Sequence, residues 1–134
     1  MSNGFLPARR NFPFWGNSTF RYTFEWRDEI LVEGKPIIQS HDLTGYTGVC
    51  ILDPVPGEPG IPLELSTSNG GIIFGGYQLK EPKNGLCELY ISKTQVEAVV
   101  FKKANYTLYA TEPNAPKDDF PLLSGRFVMA GPPL

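Results

Sequence analysis

The clearest pattern in this chain is a strict alternation of aromatic and polar residues near its start. In residues 18–27 an aromatic side chain occupies every second position, with threonine, arginine and glutamate between them. Side chains of a β-strand point alternately to two faces, so the pattern predicts a strand with one aromatic face. We expect this face to be core rather than a platform for stacking sugars, because burial yields about 25 cal/mol per Å² of apolar surface. The aromatic residues are Phe20, Tyr22, Phe24 and Trp26.

Short apolar or alternating segments recur along the rest of the chain, separated by glycine, proline and polar residues. The proline-rich stretch 53–60 is predicted to be a surface loop, since proline cannot donate to a strand ladder. The sequence Ser-Asn-Gly-Gly at 68–71 is typical of a hairpin or a bulge. Further strand segments are predicted at 47–52, 63–67, 72–74, 86–91, 105–111 and 122–129, and two short apolar runs lie at 30–32 and 37–38.

One short helical turn is predicted after the segment 86–91. Ser92 and Gln95 stand at the first and fourth positions of a capping box, in which their side chains satisfy free amides at a helix start. The following residues 96–99 include two valines and an alanine. About seven to eight strands with one such turn predict an all-β fold, an antiparallel sandwich.

Composition supports one domain of this class. The 134 residues contain 14 glycines and 13 prolines, most of which lie between the alternating segments. This distribution disfavours long helices. We expect an N-terminal arm over 1–17, a sandwich over 18–130 and a C-terminal tail over 131–134. The arm clusters aromatic residues around Pro13, and it either folds back across the domain edge or docks on a neighbour.

Charge and hydropathy exclude several function classes. The formal net charge is −2 and no block of basic residues occurs. The sequence therefore lacks the basic patch that proteins use to bind the phosphates of nucleic acids. No run approaches the roughly 18 apolar residues of a membrane helix, and residues 1–10 do not match a signal peptide. Cys50 and Cys87 lie in strand-like segments and are expected to be buried free thiols. We therefore predict no metal and no cofactor.

The sequence also gives no candidate catalytic centre. His41 is next to Asp42, but neighbouring residues of a strand point to opposite faces. Ser92 is better explained as a helix cap than as a nucleophile. Asp118 and Asp119 lie in a predicted loop without the second, separated carboxylate that a glycosidase needs, and 114–119 has too few oxygen ligands for calcium. We expect a protein that is not an enzyme.

An ordered set of segments resembles a known family. The set begins with the aromatic strand and continues with Asp-Leu-Thr-Gly-Tyr at 42–46, Ser-Asn-Gly-Gly-Ile at 68–72 and the strand 86–91 ending before Ser92. It closes with the strand around Tyr106 and Tyr109 and with Leu-Leu-Ser-Gly-Arg-Phe-Val at 122–128. In this order the segments resemble the immunoglobulin-like (Ig-like) β-sandwich of tailed-bacteriophage structural proteins, in particular the N-terminal domain of the baseplate upper protein.

The resemblance implies a non-catalytic structural protein of a virion, assembled in the host cytoplasm, that docks tail, baseplate or fibre components. Its partners would be other virion proteins and further copies of itself, and its apolar anchors would be Phe12, Phe14 and Trp15. Capsid decoration is one alternative. Binding of host-surface carbohydrate is another, with Trp15 and Tyr77 as the aromatic candidates.

Overall fold

A computed structural model describes residues 7–14, 18–76, 81–114 and 117–129, and it confirms the all-β prediction. This part of the chain contains eleven strands, a 3₁₀ turn at Pro82–Asn84 and one short helix, α1, at Lys93–Ala98. The strands are β1 Ala8–Arg9, β2 Phe12–Phe14, β3 Phe20–Glu25, β4 Arg27–Val32, β5 Lys35–Ser40, β6 Thr47–Pro54, β7 Leu63–Ser66, β8 Ile72–Phe74, β9 Leu86–Ile91, β10 Lys103–Thr111 and β11 Asp119–Met129.

Most of the strands form two sheets that share one core, and the remaining two form a separate hairpin. The larger sheet has the order β1-β11-β10-β6-β7, with β2 also paired to β11, and the smaller sheet has the order β3-β9-β8. Buried residues of both sheets belong to a single hydrophobic cluster. The third sheet is the two-stranded hairpin β4–β5, and none of its residues is part of that cluster.

Strand periodicity places the core as the sequence pattern predicts. In β10, alternate residues from Ala104 to Ala110 are buried and those between them face outwards. In β9, Cys87, Leu89 and Ile91 point into the core, and the aromatic face of β3 packs against it from the same sheet. The sequence predicted all three strands from alternation alone, because a sandwich sheet needs one apolar face.

The predicted capping box is present at the start of α1. The Ser92 hydroxyl accepts a hydrogen bond from the Gln95 amide at 3.2 Å, and the Gln95 side-chain oxygen accepts one from the Ser92 amide at 2.9 Å. Two amides at the helix start are thereby satisfied. Val96 on this helix is buried in the core, so the helix closes one part of the sandwich.

The described part of the N-terminal arm folds back onto its own domain. β1 and β2 run parallel to β11, and Tyr106 donates its hydroxyl hydrogen to the Arg10 carbonyl at 2.7 Å. A Cβ on Gly125 would overlap that same carbonyl, so the close approach requires glycine there. Of the two alternatives for the arm, the described residues 7–14 thus follow the first, since they supply two strands of the larger sheet.

The two cysteines are free and fully buried, as predicted. Cys50 lies on β6 and Cys87 on β9. Burial in an apolar core disfavours the thiolate and raises the pKa of each thiol to about 12. Both side chains therefore act as small core residues.

Candidate interaction surface

The most unusual surface of the molecule is the hairpin β4–β5. Its two-residue turn consists of Glu33 and Gly34, which both have positive φ, 53° and 78°. Positive φ at both positions is the type I′ geometry, whose twist matches that of the flanking strands. The register then pairs Val32 with Lys35 and continues to Arg27 opposite Ser40.

Both faces of this hairpin carry exposed apolar side chains. Successive residues of a strand point to opposite sides, so Ile30, Val32 and Ile37 share one face, while Leu31 and Ile38 share the other with Pro36. Leu31 is 73% exposed and Ile38 is 56% exposed. Five of the nine large hydrophobic residues exposed in the described chain lie here. None of these side chains belongs to the hydrophobic core of the described chain.

The hairpin is attached to the sandwich through its base. The Trp26 amide donates to the Gly85 carbonyl at 2.8 Å, and the His41 amide donates to the Trp26 carbonyl at 2.9 Å. Gly85 has φ of 73°, and a Cβ there would meet the Trp26 carbonyl oxygen at 2.6 Å. Close backbone approach at a glycine thus fixes the point where the hairpin leaves the sandwich.

Side chains reinforce the same junction. The ring nitrogens of His41 contact the Asp28 carboxylate at 2.7 Å and the Tyr46 hydroxyl at 2.9 Å. Burial raises the pKa of Tyr46, with smaller contributions from nearby carboxylates, so its hydroxyl keeps its hydrogen. A carboxylate only accepts, so Nδ1 of His41 donates to Asp28, and Nε2 shares a hydrogen bond with the Tyr46 hydroxyl.

A carboxylate on the opposite side of the base ties the two strands together. The Glu25 carboxylate accepts hydrogen bonds from the Ser40 hydroxyl at 2.5 Å and from Arg27 Nε at 3.0 Å. The bond from Ser40, and next that from Arg27, lower the pKa of Glu25. The base of the hairpin is therefore ordered by polar contacts, whereas its outer half is apolar.

Polar contacts fix the orientation of the His41 ring at the base of the hairpin. Both His41 nitrogens are already occupied, by Asp28 and Tyr46. Asp42 does not join them, because its carboxylate accepts from the amide and hydroxyl of Thr44. Within the described ranges, no three side chains of histidine, cysteine, aspartate or glutamate come together as a metal site.

The structure gives different outcomes for the expected anchor residues. Phe12 is 4% exposed and lies in the core, with ring centroids 4.7 Å from Tyr22 and 5.2 Å from Phe127. This corrects its expected place at an interface, because its apolar surface is already buried within its own domain. Phe14 pairs through its backbone with Met129. The Phe14 side chain, Trp15 and Tyr77 lie outside the described residues.

Sequence reasoning found the parts of the hairpin but not the whole. It predicted the apolar runs 30–32 and 37–38 as separate short segments broken at residues 33–36. The usable signal was the two-residue spacing with Gly34 in the second turn position, which is typical of a type I′ hairpin. Exposure on both faces has no signature in the sequence, because apolar runs usually predict burial.

Comparison with known proteins assigns no family to this chain. No family model matches it, and no curated protein sequence matches it.

Among the described residues no helix is both long enough and apolar enough to span a membrane.

Proposed function

We propose that this protein is a non-catalytic structural component of a tailed-phage virion, which joins tail, baseplate or fibre components by inserting the β4–β5 hairpin into a protein interface. The observation that carries the docking role is the apolar surface on both faces of that hairpin. The phage context comes from the resemblance of the ordered sequence segments.

Exposed apolar surface on a ribbon is unfavourable unless a partner covers it. An isolated two-stranded hairpin is marginally stable in water, and contiguous apolar patches on soluble proteins mark interaction sites. Leu31 and Ile38 on one face, with Ile30 and Ile37 on the other, would be desolvated together by a partner that contacts both faces. Leucine and isoleucine here would act as the central anchors of the interface.

Rigid placement of the hairpin favours docking over a flexible tether. The stacked pair His41–Trp26 and the bonds of His41 to Asp28 and Tyr46 hold the base. A pre-positioned element loses less conformational entropy on binding. In a symmetric particle such modest contacts are multiplied, so that each single contact need not be strong.

The anchor role moves from the arm to the hairpin in this proposal. Phe12 is part of the core and β2 pairs with β11. Removing the arm would therefore disrupt the edge of the larger sheet, so its loss would not test Phe14 or Trp15 as interface anchors alone. Partners are other virion proteins and further copies of this chain, met during assembly in the host cytoplasm. Capsid decoration and carbohydrate binding stay as alternatives, and the location of the domain in the particle separates decoration from docking at the tail.

Incorporation into particles tests the role of the hairpin. Substituting Leu31→Asp and Ile38→Asp places two charges on one face of the hairpin without touching the core. The matched control is Ile61→Asp with Val100→Asp, which changes two residues that are also exposed but lie elsewhere. The hairpin variant is expected to fold and to be lost from purified particles, whereas the control is retained. Retention of both variants would contradict docking through the hairpin.

A further inference from the structure

We propose that the free edge of β4 pairs with β4 of a second copy of this chain, antiparallel, to give a four-stranded sheet in the order β5-β4-β4-β5. This inference deepens the proposed function by naming a partner for the hairpin. It rests on hydrogen-bonding geometry, on charge and on the apolar residues of the strand.

The turn geometry shows which edge of the hairpin is open. In a two-residue hairpin the closing pair, here Val32 with Lys35, is hydrogen-bonded, and the next pair, Leu31 with Pro36, is not. The backbone groups of Leu31 and Pro36 therefore point away from the partner strand. Proline has no N–H, so Pro36 blunts the outer edge of β5.

The outer edge of β4 has no such block. Alternation places the outward N–H and C=O groups of this strand on Arg27, Glu29 and Leu31. In the described chain none of these backbone groups bonds to another element. Side chains of Glu29 and Leu31 are also exposed. β4 thus offers a complete ladder edge to one additional strand.

Like charges disfavour several self-pairings of this edge. Two β4 strands related by a two-fold axis can meet in a few registers that keep the outward residues opposite one another. One register places Asp28 opposite Asp28, the next places Glu29 opposite Glu29, and another places Glu29 opposite Glu33 of the second copy. Like charges directly opposite each other are destabilising in a sheet.

The remaining register places no like charges opposite each other. It places Ile30 opposite Ile30 on the two-fold axis, Glu29 opposite Leu31, and Arg27 opposite Glu33 of the second copy. Because Ile30 already pairs with Ile37 in the hairpin, four isoleucines form a continuous row across the four strands. Antiparallel pairing also places the two sandwiches at opposite ends of the shared sheet, about 20 Å apart for six residues of strand.

Disulfide trapping tests both the partner and the register. In this register Ile30 faces itself in a non-hydrogen-bonded pair, with Cα atoms about 4.5 Å apart, within reach of a disulfide. Ile37→Cys is the matched control, because Ile37 lies on the same face, 42% exposed against 36% for Ile30, but one strand further from the axis. The native cysteines are buried and do not interfere.

Analytical ultracentrifugation of the protein over a concentration series measures its oligomeric state, and the cysteine variants are oxidised at a concentration at which the dimer forms. We expect a dimer, with Ile30→Cys cross-linked and Ile37→Cys largely uncross-linked. Ile30→Lys should weaken the dimer by about tenfold or more, since two like charges then meet at the axis. A monomer throughout, without cross-linking of Ile30→Cys, would overturn the inference.

Cross-linking of both cysteine variants to the same extent would also overturn the proposed register. A monomer in solution that is nevertheless found between virion components would reject only the self-pairing. A dimer absent from the particle would instead reject the virion role and leave the self-pairing intact.

Discussion

The imidazole of His41 lies flat on the indole of Trp26, with ring centroids 3.8 Å apart and planes 6° from parallel. Trp26 separates β3 from β4, and His41 directly follows β5. The stack therefore joins the two points at which the hairpin leaves and re-enters the sandwich. A polar residue pair flanks it, since Asp28 and Tyr46 each contact one nitrogen of His41.

Removing this ring should loosen the hairpin more than the sandwich. We expect His41→Ala to lower the free energy of unfolding by about 1–3 kcal/mol, because it leaves Asp28 and Tyr46 without a partner. Hydrogen exchange should accelerate in β4 and β5 and change little in β10. Asp42→Ala is the matched control, since Asp42 bonds only within its own turn to Thr44. Equal effects of the two substitutions would contradict a clamping role for His41.

Phe12 should behave as a core residue. Phe12→Ala removes a ring that packs against Phe20, Tyr22, Tyr106 and Phe127. We expect a loss of about 3–5 kcal/mol in chemical denaturation, the usual cost of such a truncation. Ile61→Ala, at a residue that is 81% exposed, should change stability by about 0.5 kcal/mol or less. A similarly small effect at Phe12 would show that the arm is not part of the core.

The junction of the arm with β11 should be sensitive to a single methyl group. In Gly125→Ala the new Cβ overlaps the Arg10 carbonyl, so β1 must move away from β11. Limited proteolysis should then cut the arm near Arg10, whereas the wild-type arm stays protected. Gly34→Ala provides the comparison, because its positive φ places the strain in the hairpin turn, away from the arm, and its Cβ meets no atom within 4 Å. Protection of the arm in Gly125→Ala would contradict the close approach described above.

The buried thiols should make stability fall at alkaline pH. Each thiol has a pKa of about 12 in the folded state against 9.0 for the exposed group. Between these values the folded state holds more protons, so unfolding becomes easier as the pH rises above about 9. Tyr106 acts in the same direction, since burial raises its pKa from 10.0. The free energy of unfolding is measured against pH above 9 for the wild type and for a variant with Cys50→Ala and Cys87→Ala. The difference between the two curves isolates the contribution of the thiols.

A thiol reagent gives an independent check. At pH 8 the folded protein should react with a thiol-specific reagent only as fast as it unfolds, because the thiolate is both rare and inaccessible. Rapid labelling of Cys50 or Cys87 under native conditions would show that the core opens locally.

Sequence periodicity was enough to predict the sandwich because several of its longer strands alternate between buried and more exposed residues. β6 and β10 show this directly, since alternate residues such as Leu52 and Leu108 are buried. The helix cap was also predictable, because Ser92 and Gln95 interact only with neighbouring backbone. These features depend on local sequence, and the structure confirms them.

The place of the arm and the hairpin depends on distant contacts instead. Nothing near Phe12 in the sequence indicates that Tyr22 and Phe127 surround it. In the same way, the apolar runs that contain Leu31 and Ile38 look like core strands, and only the fold shows that they project from the sandwich. Sequence periodicity reports which residues are apolar, whereas the tertiary structure decides which of them a partner can reach.

Cryo-electron microscopy of the intact particle tests the central claim most directly. The account predicts density for this sandwich at the tail, baseplate or fibre junction, with Leu31 and Ile38 of the β4–β5 hairpin buried against a neighbouring protein. Density on the capsid lattice would replace docking at the tail with decoration. Absence of the domain from the particle, or a hairpin fully exposed to solvent within it, would contradict the proposed function.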